Sequence, residues 1–162
     1  MSKNQVFSEL APQLYDLGYS PIPLSGKTAR IKEWPKLFCD QRPKRQQLGG
    51  EYARARRGRH VMNGIGLATH NGLMFVDIDA DGSQHDNVYT MIRDVVPAID
   101  RAPKIIGRRG AKYLLRLVGV TDTAGHNLVG SQTDDRVELL VHRRLGVIPP
   151  TVHPDTGQPY SV

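Results

Sequence analysis

The sequence predicts an α+β fold: a single domain whose central mixed or antiparallel sheet is flanked by helices. Three observations support this prediction: a length of 162 residues, strand patterns through the middle of the chain, and two segments of helical periodicity. A chain of this length usually forms one domain, so we assign residues 1–162 to one. The composition, 39% hydrophobic and 23% charged, is typical of a globular protein.

Helical periodicity marks two segments of the chain. Apolar residues recur every three or four positions over residues 4–17, and Gly18 follows them, which predicts a helix that ends there. Pro97 likewise ends a second predicted helix over residues 84–96. Residues 25–37 show no steady period, so this segment is predicted to be a loop.

Runs of apolar residues bounded by turn residues predict the strands. Asn71-Gly72, between the first two runs, is a dipeptide typical of hairpin turns, so these two strands are predicted to pair. A polar turn that contains glycine separates the next two runs in the same way. The predicted strands are residues 65–68, 73–79, 104–106, 112–118, 136–142 and 147–148.

Two carboxylates, Asp77 and Asp79, end the most apolar of these strands. Side chains alternate along a strand, so both should lie on one face. Neighbouring carboxylates repel each other unless a cation lies between them, and Mg²⁺ prefers oxygen ligands of this kind. For a bare pair, however, the simpler interpretation is that the acids stabilise the following turn at Asp81-Gly82. The surrounding sequence must therefore decide between a metal site and a turn.

Two other chemistries also use aspartates at this spacing. A calcium-binding loop that began at Asp77 would need an acid at its twelfth position, and Val88 stands there, which excludes it. Phosphatases of the haloacid-dehalogenase type begin with a similar pair but carry threonine where this chain has Asp81. A metal-dependent nuclease or phosphatase thus stays open as an alternative.

A third acid, Glu138, lies inside a predicted strand. An ionised carboxylate is costly in apolar surroundings unless it is paired or bound to metal. Glu138 would therefore complete a three-carboxylate site with Asp77 and Asp79. The alternative is an ion pair with Arg116 or Arg136 on an adjacent strand.

Cations are concentrated in two parts of the chain, whose net charge is +6. The first part surrounds a glycine turn and suits either phosphate binding or a charged edge strand. The second, residues 42–59, is the most basic, and we expect it to hold a nucleic-acid template through its phosphates. A basic enzyme without such a partner would have a similar charge. The first group is Lys104, Arg108, Arg109, Lys112 and Arg116, and the second is Arg42, Lys44, Arg45, Arg54, Arg56, Arg57 and Arg59.

Cysteine content and hydropathy indicate the cellular compartment. Cys39 is the only cysteine, so no internal disulfide can form, and no Cys or His spacing resembles a zinc site. No segment has the length of a signal peptide's apolar region or a membrane span. We expect a cytoplasmic protein that does not interact with membranes.

The order of these motifs resembles the bifunctional DNA primase/polymerase domain of phages, plasmids and mobile elements. The resemblance covers nearly the whole chain, and its last segment is the most specific because it is long. The matching segments are GYSPIPLSGKTARIKEW, GIGLATHNGLMFVDIDADG, GRRGAKYLLRL and VELLVHRRLGVIPPTVHPDTGQPY.

The resemblance implies a catalytic core like that of the RNA recognition motif (RRM-like) and assigns roles to individual residues. The family's metal ligands and catalytic acids correspond to Asp77, Asp79 and Glu138, which implies Mg²⁺ or Mn²⁺ as cofactor. The family's phosphate-binding histidine is replaced by Lys112, which can bind phosphate as a point charge. His153 matches a late histidine that lies near the nucleotide or stabilises a turn. Arg108 and Arg109 are expected to assist Lys112 in holding the triphosphate.

The implied activity is template-directed nucleotidyl transfer, as a DNA primase, a DNA polymerase or both. Its substrates would be nucleoside triphosphates and a single-stranded DNA template, in the replication of a phage, plasmid or mobile element. Family members often continue into a helicase, so the resemblance leaves open a fragment of a longer protein with a helicase domain or partner. A second interpretation, favoured by Lys112 in place of histidine, is a single-stranded DNA-binding replication module with weak or no catalysis.

Overall fold

Eight strands and three α-helices form the described part of the chain in this computed structural model, which covers residues 6–57, 61–119 and 136–162. The helices are α1 (Val6–Asp16), α2 (Arg45–Arg57) and α3 (Gly82–Val95), with a π-helical segment at Lys36–Asp40 and a 3₁₀ helix at Pro97–Arg101. The strands are β1 (Pro21–Ser25), β2 (Thr28–Ala29), β3 (Gly64–Ala68), β4 (Leu73–Asp79), β5 (Lys104–Ile106), β6 (Ala111–Arg116), β7 (Arg136–Leu140) and β8 (Leu145–Ile148).

The strands divide between two antiparallel sheets. The first sheet has the order β2-β1-β3-β8, and the second sheet has the order β5-β6-β4-β7. The predicted α+β class is confirmed, whereas the single central sheet is replaced by two. This division follows from β3 and β4, each of which already has a partner on both sides: β1 and β8 for β3, and β6 and β7 for β4.

The predicted hairpin between β3 and β4 is therefore wrong, although the turn itself has the expected geometry. Asn71 and Gly72 both have positive φ, 51° and 76°, and the N–H of Leu73 donates to the carbonyl of His70 at 3.1 Å. These are the conformations that Asn-Gly favours. The turn carries the chain from the first sheet to the second, because its φ angles fix the local bend and not the partner strand.

Smaller differences concern the other elements. The first predicted helix is present as α1, with residues 1–5 outside the described part, and the second begins two residues early, at Gly82. The predicted loop over residues 25–37 contains β2 and the start of the π-helical segment. The basic segment forms α2 over Arg45–Arg57. None of the described helices combines the length and apolar character needed to cross a bilayer.

Two hydrophobic cores lie on opposite faces of the second sheet. One core joins α1 and the first sheet to Leu73 and Phe75 of β4. The other joins the alternate residues of β4, such as Val76, to α3 and the 3₁₀ helix. The first core is tight where the sheets meet: a Cβ on Gly146 would lie 2.3 Å from the ring of Phe75. Only glycine fits there, so β8 can approach the second sheet closely.

Candidate active site

The site lies where one face of the second sheet changes from apolar to charged. Leu73, Phe75, Asp77 and Asp79 share this face of β4 because side chains alternate along a strand. The first two belong to the core beneath the first sheet. The two aspartates lie beyond the packed region and remain half-buried. The same strand therefore anchors the sheet at one end and presents carboxylates at the other.

Strand register brings the predicted acids and one predicted cation together. Asp77 lies opposite Lys112 on β6 and opposite Glu138 on β7. Asp79 lies opposite Arg136, the first residue of β7. Directly opposed residues in antiparallel strands point to the same face. All three predicted carboxylates thus share one face with Lys112 and Arg136.

Each of these carboxylates contacts a cation. The Nζ of Lys112 lies 2.8 Å from Oδ2 of Asp77, with side chains only 21% and 15% exposed, respectively. Arg136 contacts two acids, with Nε at 3.3 Å from Asp79 Oδ2 and Nη1 at 3.8 Å from Glu138 Oε1. The latter contact is the ion pair that was the alternative interpretation of Glu138. The charge of the three acids is therefore partly compensated, by two cations.

A cleft of about 430 Å³ opens over the charged half of this face. Its lining includes Asp77 and Asp79 but not Glu138, which is paired to β4 beside them. All four predicted nucleotide-binding residues also line it. The lining residues are Lys27, Asp77, Asp79, Gly107, Arg108, Arg109, Lys112, Arg136, Val147, His153, Asp155 and Tyr160.

The late motif PPTVHPDTGQPY forms one wall of the cleft because both of its ends are fixed. Thr151 Oγ1 is buried and accepts the N–H of Ile65 at 2.8 Å while donating to the carbonyl of Ile65 at 2.9 Å. At the other end, Ser161 and Ile106 exchange backbone hydrogen bonds of 2.8 and 3.1 Å. The loop between them is thereby held against both sheets, which positions His153 at the cleft.

His153 is buried and carries its proton on one identifiable nitrogen. Its Nδ1 accepts the N–H of Asp155 at 3.2 Å, so a neutral ring has its proton on Nε2. Burial, followed by the nearby charge of Lys27, lowers the pKa of His153 below its ordinary value. The ring of Tyr160 lies 5.6 Å away, and burial raises the pKa of that phenol to about 12. Both groups are therefore uncharged at neutral pH.

Arg108 and Arg109 follow β5, in the turn that leads into β6. Arg108 Nη1 lies 3.6 Å from Asp155 Oδ2, and Arg109 Nε lies 3.2 Å from Asp81 Oδ2. Gly110 makes this turn possible, since its φ is +58° and a Cβ there would lie 1.8 Å from the carbonyl oxygen of Ile78. The turn thus holds two guanidinium groups at the edge of the cleft.

The donor chemistry of this face fits a hard divalent cation, because Asp77, Asp79 and Glu138 supply only oxygen ligands. As the side chains stand, no three His, Cys, Asp or Glu residues in the described ranges are grouped closely enough to hold a metal ion. The carboxylates contact lysine and arginine instead. The residues therefore fit the ion in kind, although each carboxylate is in contact with a lysine or an arginine.

The basic segment lies apart from the residues that line the cleft. Arg42 donates to the backbone carbonyls of Tyr15 and Tyr19, and its guanidinium lies 3.6 Å from the centre of the Tyr15 ring. Arg45 pairs with Asp16 at 3.2 Å. Arg45 thus connects the start of α2 to the end of α1, and Arg42 connects the segment before α2 to the same region. Of the other predicted DNA-binding residues, Lys44 and Arg57 are exposed, the side chains of Arg54 and Arg56 are not described, and Arg59 lies outside the described residues.

Six lining residues were not singled out from the sequence as site residues: Gly107, Val147 and four with polar side chains. Lys27 comes from the turn between β1 and β2, and Arg136 appeared only as an ion-pair partner for Glu138. Asp155 and Tyr160 lie in the late motif, where only His153 was assigned a role. The matching segments themselves were the available signal. GKT in the first segment contains Lys27, and HPDTGQPY in the last contains Asp155 and Tyr160.

The fold and site define a class of protein: an α+β domain with carboxylates and cations gathered over one face of an antiparallel sheet. The family model described as "Bifunctional DNA primase/polymerase, N-terminal" matches residues 11–162, and the chain belongs to this family. The family is of the primase/polymerase type and acts in nucleotidyl transfer. A search of curated proteins found no match to the chain.

Proposed function

We propose that this protein catalyses template-directed nucleotidyl transfer, as a DNA primase, a DNA polymerase or both. One observation carries the proposal: the register of the second sheet puts Asp77, Asp79 and Glu138 on one face with Lys112. Membership of the primase/polymerase family supports this class of reaction. The resemblance of the sequence to domains from phages, plasmids and mobile elements favours a role in their replication.

The carboxylates and cations of the cleft have complementary roles in this reaction. Mg²⁺ or Mn²⁺, held by Asp77, Asp79 and Glu138, would supply Lewis acidity toward the attacking hydroxyl and the leaving pyrophosphate. Lys112 would bind the triphosphate of the incoming nucleotide, together with the cations of the β5–β6 turn. Charge-assisted hydrogen bonds of this kind hold the reacting phosphate in position for attack. The cations in that turn are Arg108 and Arg109.

His153 would act as a neutral hydrogen-bond donor. Its lowered pKa keeps the ring uncharged, and the N–H of Asp155 occupies Nδ1. The Nε2–H then remains to donate to a phosphate or sugar oxygen of the nucleotide. The cleft already has several cations to attract phosphate. A neutral donor would add a directional hydrogen bond that fixes the orientation of the nucleotide.

The single-stranded DNA template would be held by exposed cations of the basic segment. Lys44 precedes α2, and Arg57 ends it, and both are exposed. Contacts of lysine and arginine with phosphates release counter-ions, so the affinity for DNA should fall steeply as salt is raised. Arg42 has a structural role at α1 and is less available for such contacts.

Nucleotide incorporation tests the proposal. Labelled nucleotides and a single-stranded template are incubated with Mg²⁺ or Mn²⁺, with and without a primer. We expect Asp77→Asn and Asp79→Asn to lower incorporation by about 100-fold or more, the scale of losing a preorganised electrostatic group. Asp86→Asn is the matched control, because Asp86 is an exposed acid on α3 outside the cleft. Unchanged incorporation in the two cleft variants would contradict the proposal.

The partly compensated charge of the site favours one second candidate, a single-stranded DNA-binding module without synthesis. Lys112 and Arg136 already offset two of the three negative charges, and a protein that binds no metal would also need such partners. This candidate predicts salt-sensitive DNA binding with no metal-stimulated incorporation. The same assay reports on a nuclease or phosphatase, since these would yield shortened DNA or free phosphate.

A further inference from the structure

We infer that Lys112 is an internal counter-ion that must leave Asp77 before a divalent cation binds there, so that metal and nucleotide binding are coupled through this lysine. The inference rests on the proposed function and concerns the order of events within its site. In this role Lys112 acts on the metal through Asp77, by controlling when that carboxylate is available. This role is in addition to its proposed contact with phosphate.

Backbone register fixes the pair. Lys112 and Asp77 are directly opposed on adjacent strands, six consecutive residue pairs of which are in register. Their charged atoms are 2.8 Å apart, and both side chains are mostly buried. The sheet therefore keeps the two residues opposite each other, so that the ammonium group can reach the carboxylate without any change of the backbone.

Electrostatics makes lysine and metal compete for this carboxylate. An ammonium group and a divalent cation on one carboxylate repel each other, and partial burial weakens the screening of that repulsion by water. Among the described residues, Lys112 is the cation in ion-pair contact with Asp77, whereas Arg136 contacts Asp79 and Glu138. Removal of the lysine charge should therefore strengthen metal binding at Asp77, although the same change weakens phosphate binding.

The cleft offers Lys112 another partner when nucleotide is present. Lys112 lines the same cleft as Arg108 and Arg109, which are proposed to hold the triphosphate. Lysine has a long flexible side chain, so its ammonium can turn from the carboxylate to a phosphate without movement of the strand. Nucleotide would then free Asp77 for metal. By thermodynamic linkage, metal would increase nucleotide affinity by the same factor.

Arg136 makes a weaker contact of the same kind. Its distances to Asp79 and Glu138 are 3.3 and 3.8 Å, and its side chain is 57% exposed. Exposed ion pairs contribute little because water and salt screen them. We therefore expect substitution of Arg136 to change metal affinity less than substitution of Lys112.

Binding of Mn²⁺ to the full chain, without nucleotide, tests the inference. We expect Lys112→Met to bind Mn²⁺ about 5- to 150-fold more tightly than the wild type, the usual range of coupling between sites. Lys112→Arg retains the charge and should keep the wild-type affinity. Lys27→Met is the matched control, since Lys27 lines the same cleft but lies near Asp155, at 3.9 Å, and not near Asp77. It removes the same charge and should have a smaller effect.

A second titration adds a non-hydrolysable nucleoside triphosphate, with Mn²⁺ binding to the nucleotide alone subtracted. The nucleotide should tighten Mn²⁺ binding to the wild type and do so less in Lys112→Met. Circular dichroism and thermal melting verify the fold, and Lys112→Gln replaces the methionine variant if that variant unfolds.

The outcomes separate this inference from the proposed function. If Mn²⁺ binds to the wild type and to Lys112→Met with equal affinity, the inference is overturned and the proposed function stands. If neither protein binds Mn²⁺, even with nucleotide, the metal-dependent function fails and the inference fails with it.

Discussion

One face of the second sheet is apolar at one end and charged at the other, although β4, β6 and β7 supply both ends. Phe75 is fully buried in the core between the two sheets. Asp77, two residues later on the same strand, lines the cleft. The difference shows how a strand can serve stability and chemistry at once. The packed half fixes the backbone, and the backbone fixes which cation opposes each acid. Substitutions in the two halves should therefore have different consequences.

The largest effect on stability is expected in the apolar half, for Phe75→Ala. Phe75 is 0% exposed, and truncation of a buried phenylalanine costs about 3–5 kcal/mol through lost burial and the cavity left behind. Urea unfolding measures this cost. Leu17→Ala is the control, because Leu17 is 71% exposed and its substitution should change the free energy of unfolding by less than about 0.5 kcal/mol. Equal costs would contradict the assigned core.

A smaller loss is expected where the two sheets approach each other, for Gly146→Ala. The added Cβ would meet the ring of Phe75, and overpacking of this kind costs about 1–3 kcal/mol. A double variant tests the cause. If the clash is with the ring, Gly146→Ala should cost less in a Phe75→Leu background than in the wild type. An identical cost in both backgrounds would show that the strain arises elsewhere.

An exposed cation of the charged half should tolerate substitution with little change in stability. Arg136 is more than half exposed, so Arg136→Gln should alter the free energy of unfolding by less than about 1 kcal/mol. Its incorporation activity should fall if the arginine helps to hold nucleotide in the cleft. A loss of stability as large as that of Phe75→Ala would mean that the two halves are not separable.

The smallest expected effect is a pH dependence from His153, at the edge of the charged half. Burial lowers its pKa, so the unfolded chain takes up a proton at higher pH than the folded protein does. His153 therefore contributes stability above its unfolded pKa of about 6.5, and this contribution is lost as pH falls toward the lower folded pKa. His153→Gln should make the free energy of unfolding less dependent on pH between about 7 and 5. An unchanged pH profile would exclude this linkage.

Local patterns in the sequence predict which side chains share the charged face of the second sheet. They do not predict which strands lie next to each other. Alternation alone puts Asp77 with Asp79, and Lys112 with Leu114, on shared faces of their strands. The apolar runs also identify β4, β6 and β7. Which strands become neighbours is not encoded locally, as the turn at Asn71-Gly72 demonstrates. That turn has the φ angles of a hairpin, yet each flanking strand pairs with more distant segments.

The wall of the cleft depends on contacts between residues far apart in the chain. Thr151 binds the backbone of Ile65, 86 residues earlier, and this contact brings His153 and Asp155 to the site. Lys27 arrives from a different sheet. No periodicity in the sequence links these residues. Only the resemblance to a family, which spans the whole set of motifs, pointed to the late segment as part of the site.

The pairing of β3 with β8 also determines when the protein can fold during synthesis. A ribosome delivers the chain from its N-terminus at about 5–20 residues per second, so β1 and β3 emerge well before β8. Until then one edge of β3 has no partner, and Asp77 and Asp79 have no Glu138 or Arg136 beside them. The nascent protein therefore cannot complete its site before β7 and the loop that holds His153 have emerged. Nucleotide binding should thus appear only after these segments have emerged, together with closure of the first sheet.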